Sequence, residues 1–107
     1  MFERVLIANR GEIAIRIARA AASLGMESVA VYAPVDAWSL HTRFATRAHE
    51  IPGWDHKAAD PVCAYLDIEA LIAIAKSAGC DCVHPGYGFL SENATFAQRC
   101  RDEGLRF

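Results

Sequence analysis

Short apolar runs alternate with helix-like segments along the whole chain. The runs predict strands that are covered on both faces, because they are continuously apolar instead of alternating with polar residues. The segments between them carry apolar residues at helical spacing. Strands that alternate with helices in this way imply right-handed crossovers and a parallel sheet. The sequence therefore predicts an α/β, Rossmann-like three-layer domain, in which a mostly parallel sheet is flanked by helices.

The apolar pattern and its turn residues place the predicted elements. Strands are predicted at 5–8, 29–32, 48–51, 82–84 and from 105 onward, and helices at 12–24, 39–44, 68–78 and 94–103. In the first helix, the residues expected to face the core are Ile13, Ile17, Ala20, Ala21 and Leu24. The expected N-caps are Ser39, Asp67 and Ser91, and the glycines expected to end helices are Gly25, Gly79 and Gly104. Residues 54–65 lack periodicity and predict an exposed excursion.

Composition limits the class of protein. The 107 residues are 53% hydrophobic and 22% charged, which is typical of one globular domain with a core, here residues 1–107. A formal net charge of -2 offers no electrostatic case for nucleic acid or an acidic membrane. No apolar run could span a bilayer, and the N-terminus lacks a signal-peptide pattern, so a cytoplasmic location is expected. Because the chain stops within a predicted strand, we expect it to be a fragment of something longer.

The cysteines allow two interpretations. The four lie at Cys63, Cys80, Cys82 and Cys100, and they are expected to be reduced, without disulfides. Cys80, Cys82 and His84 alternate and would share one strand face, which could present metal ligands. No fourth ligand is evident, and small thiols pack well in a core. The prediction is buried cysteines and no metal site.

A glycine-rich stretch at 84–93, H-P-G-Y-G-F-L-S-E-N, is the strongest candidate for a site. Gly86 and Gly88 can take positive φ, and Pro85 stiffens the exit from the preceding strand. Ligands of open α/β sheets gather at the carboxyl ends of strands, where this loop should lie. An ordinary turn that joins strand to helix is the alternative interpretation.

Familiar nucleotide motifs are missing from the sequence. Asn9-Arg10-Gly11 stands where a dinucleotide-binding fingerprint would begin, but G-x-G-x-x-G is absent. The phosphate-binding pattern G-x-x-x-x-G-K-[ST] is absent as well. Nothing in the chain forms a complete catalytic set, so no catalytic residue is predicted.

Three motifs together resemble the N-terminal domain of biotin-dependent carboxylases, a domain of pre-ATP-grasp type. They are A-N-R-G-E-I-A-I-R at 8–16, A-Y-L-D-I at 64–68 and the stretch at 84–93. The likeness covers essentially the whole chain, and details at 39–41 and 64–69 are most similar to the pyruvate carboxylase and acyl-CoA carboxylase types. The chain departs from the family at Thr46 and Arg47, where an Asp-Glu pair is common, and at 54–60.

The resemblance implies a biotin carboxylase, an ATP-dependent carbon-nitrogen ligase that carboxylates carrier-bound biotin with bicarbonate. ATP, Mg²⁺ and biotin would serve the full-length enzyme, whose ATP-grasp and C-terminal domains and biotin carrier lie outside this chain. The isolated domain is expected to bind neither ATP nor Mg²⁺ and to be inactive. A free-standing Rossmann-like binding or assembly module without catalysis is the alternative.

The resemblance also assigns roles to residues. Tyr87 and Gly88 match positions that border the biotin pocket. Residues that would shape the loop are His84, Pro85, Gly86, Ser91, Glu92 and Asn93. Arg16 and Arg19 match positions at or near the contact between subunits, which implies a homo-oligomer in the full-length protein.

Overall fold

The computed structural model describes residues 2–36, 38–52 and 61–107. Its strands are β1 (Arg4–Ile7), β2 (Glu27–Tyr32), β3 (Arg47–Glu50) and β4 (Cys82–His84). Its α-helices are α1 (Gly11–Ser23), α2 (Leu40–Phe44), α3 (Ile68–Ser77) and α4 (Ala94–Asp102), with 3-10 helical segments at Pro34–Asp36 and Pro61–Leu66. The predicted elements are thus present, with boundaries that differ by one or two residues.

The four strands form one parallel sheet in the order β3-β2-β1-β4. Leu6 of β1 pairs with Val29 of β2 on one side and with Val83 of β4 on the other. Arg106 makes a further parallel bridge to Cys82, which agrees with a strand beginning near residue 105. The predicted α/β, Rossmann-like architecture is confirmed.

Alternate residues of β1 point to opposite layers. Leu6 belongs to the large hydrophobic cluster that includes Phe96 of α4 and Leu71 of α3. Ile7 instead packs with Ala14 and other residues of α1. Because successive side chains of a strand point to opposite faces, a central strand with helices on both sides must be apolar throughout. This explains why the sequence of β1 predicts a strand through an unbroken apolar run.

The buried face of α1 differs from the predicted one. Its buried residues are Ala14, Ile15, Ala18 and Ala21, whereas Ile13 and Ile17 are half-buried and Ala20 and Leu24 are exposed. The helix is apolar around most of its circumference, so spacing alone could not identify the face that meets the sheet. Three small alanines on the buried face let the helix approach the sheet closely. Only Ala21 of the predicted set is buried.

The end of the predicted excursion at 54–65 is buried. Residues 53–60, which make up most of that excursion, lie outside the described part of the chain. Its last residues form the helical segment Pro61–Leu66, and Ala64 and Tyr65 are buried there. The side chain of Tyr65 is buried in the core and holds this helical segment against it. The sequence pattern did not predict that contact.

The cysteines near β4 lie in different environments. Cys80 packs into the large cluster, whereas Cys82 packs against Val5 and Ala21 on the α1 side. Cys80 therefore does not share a face with Cys82 and exposed His84, because Cys80 precedes the strand. Burial raises the pKa of the Cys80 thiol to about 11 and that of Cys82 to about 12. Cys80, Cys82 and Cys100 are buried free thiols.

Candidate functional site

The direction of the crossovers reverses at β1. From β1 the chain passes through α1 to β2 on one side, while β4 lies on the other side of β1. The carboxyl ends of β1 and β4 therefore flank a topological switch point, where open α/β sheets form a crevice. Two loops meet there, one at residues 8–10 and the other being the glycine-rich stretch at 84–93.

The glycine-rich loop makes a compact turn as it leaves β4. Gly86 and Gly88 have φ values of 66° and 74°, as predicted from their freedom from a Cβ. The backbone N–H of Gly86 donates to Nδ1 of His84 at 3.0 Å, so the histidine at the end of the strand stabilises the turn. The loop-shaping role expected of His84 stays a prediction.

Asn9 holds the same loop from the neighbouring strand. Its side chain is 1% exposed, and Nδ2 donates to the carbonyl oxygens of Pro85 at 2.8 Å and Tyr87 at 2.9 Å. A Cβ added to Gly86 would lie 2.7 Å from that nitrogen, which explains the requirement for glycine. Asn9 was not predicted as a site residue. Its position directly after a central strand, opposite the glycine loop, is the signal that could have identified it.

Tyr87 projects away from the core. Its side chain is 74% exposed although its carbonyl is held by Asn9. Beside it lies a cavity of about 570 Å³ lined by Arg10, Glu12, Ile13, Arg16, Ile17, His84, Gly86 and Tyr87. At Gly88 a Cβ would meet nothing within 4 Å, so this part of the loop faces open space. The arrangement offers an accessible aromatic ring and a bare stretch of backbone to a ligand.

The end of the loop differs from the prediction in one respect. Asn93, and not Ser91, is the N-cap of α4, and its Oδ1 accepts from the N–H of Phe96 at 2.8 Å. Ser91 lies two residues earlier, where its N–H donates to the carbonyl of Gly88 at 2.9 Å. Both residue types suit a cap, and the extra turn between Gly88 and Asn93 decides which one reaches the helix. Glu92 is exposed.

A buried polar network supports the loop from its other side. The hydroxyl of Tyr65 donates to Asp36 at 2.6 Å, and Asp36 also pairs with Arg10 at 2.7 Å. The ring of Tyr65 lies 5.8 Å from the ring of Phe89, measured between centroids. Phe89 has a φ of 46°, which is uncommon for a bulky residue. Contact with Tyr65 therefore stabilises an otherwise unfavourable backbone conformation.

The two arginines of α1 are both exposed, as a contact surface requires. Arg16 lies 3.3 Å from Glu12 on the preceding turn and also lines the cavity beside Tyr87. The guanidinium carbon of Arg19 lies 4.9 Å from the centre of the Phe44 ring in α2. Arg16 thus joins the loop site, while Arg19 extends the same surface toward α2.

Comparison with known proteins assigns the family. All residues, 1–107, match the family described as biotin carboxylase, N-terminal domain, so the chain belongs to that family. The pyruvate carboxylase of Bacillus subtilis strain 168 is 50% identical over 105 residues, which cover 98% of this chain. The chain spans only 9% of the length of that relative.

Solved structures agree with this assignment. The biotin carboxylase domain of a single-chain bacterial carboxylase has a TM-score of 0.88 and 54% identity, covering 96% of this chain and 23% of that one. The biotin carboxylase domain dimer of 2-oxoglutarate carboxylase from Hydrogenobacter thermophilus, in complex with MgADP, ADP and bicarbonate, has a TM-score of 0.88 and 40% identity. That match covers 98% of this chain and 22% of the other.

Proposed function

We propose that residues 1–107 act as one domain, the N-terminal domain of a biotin carboxylase, within a longer polypeptide. In the proposed reaction, ATP activates bicarbonate as carboxyphosphate, and the carboxyl group passes to the ureido nitrogen of biotin on a carrier domain. Membership of the biotin carboxylase N-terminal family supports this reaction. The chain also matches much longer carboxylases, of which it spans 9% and 10%, and this supports a polypeptide that also contains the ATP-grasp and C-terminal domains.

The exposed ring of Tyr87 carries the proposal for the site. An aromatic ring that is 74% exposed gains little from the core, yet its backbone is fixed at the switch-point crevice. Such a ring can pack against biotin, whose ureido ring offers a flat face and whose sulfur-containing ring is apolar. Gly88, next to it, lets the ligand approach the backbone closely. We assign Tyr87 and Gly88 to the border of the biotin pocket.

ATP and Mg²⁺ are assigned to the rest of the polypeptide. Magnesium sites use clustered carboxylates, and in the parts of the chain the structure covers no group of three His, Cys, Asp or Glu side chains could hold a metal. The related 2-oxoglutarate carboxylase domain was solved with MgADP and bicarbonate. These ligands would therefore bind in the ATP-grasp domain, with the isolated 107 residues inactive.

Partners follow from the same assignment. The exposed Arg16 and Arg19 of α1 would contact a second subunit, and a related biotin carboxylase domain is described as a dimer. A biotin carrier domain or protein would approach the loop at Tyr87. In the described ranges, no helix is long and apolar enough to cross a membrane. A cytoplasmic location stays a prediction.

Substitution of Tyr87 tests the site in the full-length enzyme. Tyr87→Ala should raise the KM for free biotin about fivefold, since an aromatic contact contributes about 1 kcal/mol. Bicarbonate-dependent ATP cleavage without biotin should change less than twofold, because its groups lie elsewhere. Gly88→Val should impair biotin carboxylation more strongly, since a side chain would enter the open space and strain a backbone at positive φ.

Trp38→Ala is the matched control, because Trp38 is an exposed aromatic outside the loop. It should leave the biotin kinetics unchanged. A thermal melt separates binding from packing, since a packing role predicts a lower melting temperature with both activities falling together. Unchanged biotin kinetics in Tyr87→Ala would remove the ring from the site.

A further inference from the structure

The hydrogen bonds of the Asn9 side chain are compatible with only one orientation of its amide group. Oδ1 accepts from the N–H of Arg10 at 2.8 Å, while Nδ2 donates to the carbonyls of Pro85 and Tyr87. A flipped amide would point its oxygen at two carbonyl oxygens and its NH₂ at an N–H group, so the contacts define the orientation. The side chain is buried, and it is therefore committed to the loop and not to solvent.

The two accepting carbonyls flank Gly86. Because the residue has no Cβ, the amide of Asn9 fits against it, and an added Cβ would also lie 2.7 Å from Cγ2 of Ile13. Asn9 therefore binds the carbonyls of the two residues on either side of positive-φ Gly86. These bonds fix the direction in which the chain delivers Tyr87, whose ring stays free.

We infer that Asn9 is a positioning residue for the biotin half-reaction, acting through the backbone of Tyr87. This inference rests on the proposed function, since it requires that Tyr87 and Gly88 border the biotin pocket. Asn9 itself does not contact biotin. Its loss would let the exposed Tyr87 loop sample other conformations, so biotin would bind less often in the productive geometry. Groups that serve ATP cleavage in other domains would be unaffected.

The test uses Asn9→Asp in the full-length enzyme with free biotin as the probe. The variant keeps the size and the oxygen that accepts from Arg10, but it replaces both donated hydrogen bonds by repulsion between oxygens. We expect the KM for biotin to rise at least tenfold. Bicarbonate-dependent ATP cleavage without biotin should stay within twofold of wild type.

Gln98→Glu is the matched control, because it makes the same amide-to-acid change on the exposed surface of α4, outside the loop. The side-chain oxygen of Gln98 accepts from Arg101 at 2.9 Å, and a glutamate keeps that acceptor. Its biotin kinetics should equal those of wild type. Asn9→Ser is too short to make either donated bond and adds no charge, so it provides the same comparison if Asn9→Asp fails to fold. It should give a smaller rise in the biotin KM.

The outcomes separate this inference from the proposed function. If Tyr87→Ala raises the biotin KM and the folded Asn9 variants do not, the biotin site stands and the positioning role of Asn9 is overturned. A proportional fall of both activities in the Asn9 variants would also overturn it, because that result indicates a general structural role. If neither the Tyr87 nor the Asn9 variants change the biotin KM, both assignments fail.

Discussion

Arg10 places its guanidinium 2.7 Å from the carboxylate of Asp36, and this pair joins the loops that follow β1 and β2. Asp36 is 6% exposed, so its charge needs more than one partner. Tyr65 supplies the second, donating its hydroxyl at 2.6 Å and accepting from the N–H of Ala33 at 3.0 Å. Burial raises the pKa of Tyr65, which keeps its hydroxyl a donor across the physiological range.

Tyr65→Phe should therefore destabilise the fold. The substitution keeps the ring but leaves the Ala33 N–H unpaired and removes one donor from Asp36, at a cost of about 2 kcal/mol. Urea unfolding of the 107-residue chain measures the change. Tyr32→Phe, at a half-buried tyrosine in β2, is the control and should cost less. A loss at Tyr65 no larger than at Tyr32 would contradict the role assigned to the network.

The elements that the sequence predicted well are those whose signal is local. β4 at 82–84 matches the predicted range, and Asp67 caps α3 by accepting from the N–H of Ala70, as expected. The apolar residues that specify a strand, and the aspartate that caps a helix, lie within a few residues of the element they specify. The glycines of the site loop belong to the same group, because positive φ excludes most other residues.

Contacts between distant segments could not be predicted in the same way. Asn9 and Pro85 are 76 residues apart, and the identity of Asn9 alone does not say which carbonyls it will meet. Burial of Tyr65 depends likewise on Asp36, 29 residues away. The mistaken face of α1 has a related cause, since several of its faces are apolar and only the position of the sheet selects one.

The cap of α4 provides a second prediction. Asn93→Ala should lower the free energy of unfolding by about 1 kcal/mol, because the N–H of Phe96 loses its acceptor. Ser91→Ala should cost less, since Ser91 contributes its backbone N–H to the turn. Chemical denaturation of both variants measures the difference. Equal losses of stability, or a larger loss at Ser91, would indicate that Ser91 caps the helix, as the sequence predicted.

The buried His41 predicts acid sensitivity. Its Nε2 lies 3.0 Å from the carbonyl of Val31 and must donate to it, which leaves Nδ1 as a lone pair without a partner in the described structure. Burial lowers the pKa of His41, and the nearby charge of Arg10 lowers it further. The hydrogen bond to Val31 and the charge of Asp36 raise this pKa, but the effect of burial is larger.

The sign of the pH effect follows from that direction. The unfolded histidine binds a proton near its ordinary pKa of about 6.5, while the folded one resists it. The stabilising contribution is thus present above about pH 6.5 and is lost as the pH falls below it. Unfolding free energies from pH 7.5 to 5 should fall more steeply for wild type than for His41→Gln. Parallel curves would show that His41 does not titrate in this way.

The arginines of α1 provide the last prediction, which concerns the proposed subunit contact. Both side chains are exposed, and their pairs with Glu12 and Phe44 lie at the surface, where such contacts contribute roughly 1 kcal/mol or less. Reversing both charges with Arg16→Glu and Arg19→Glu should therefore leave the helix content unchanged. It should weaken self-association of the full-length enzyme about tenfold, because like charges would then face the partner's complementary surface.

Sedimentation velocity over a range of concentrations measures this self-association. The control is Arg101→Glu on α4, at the opposite face of the sheet. An oligomer as stable as wild type would assign the two arginines to an ordinary solvated face.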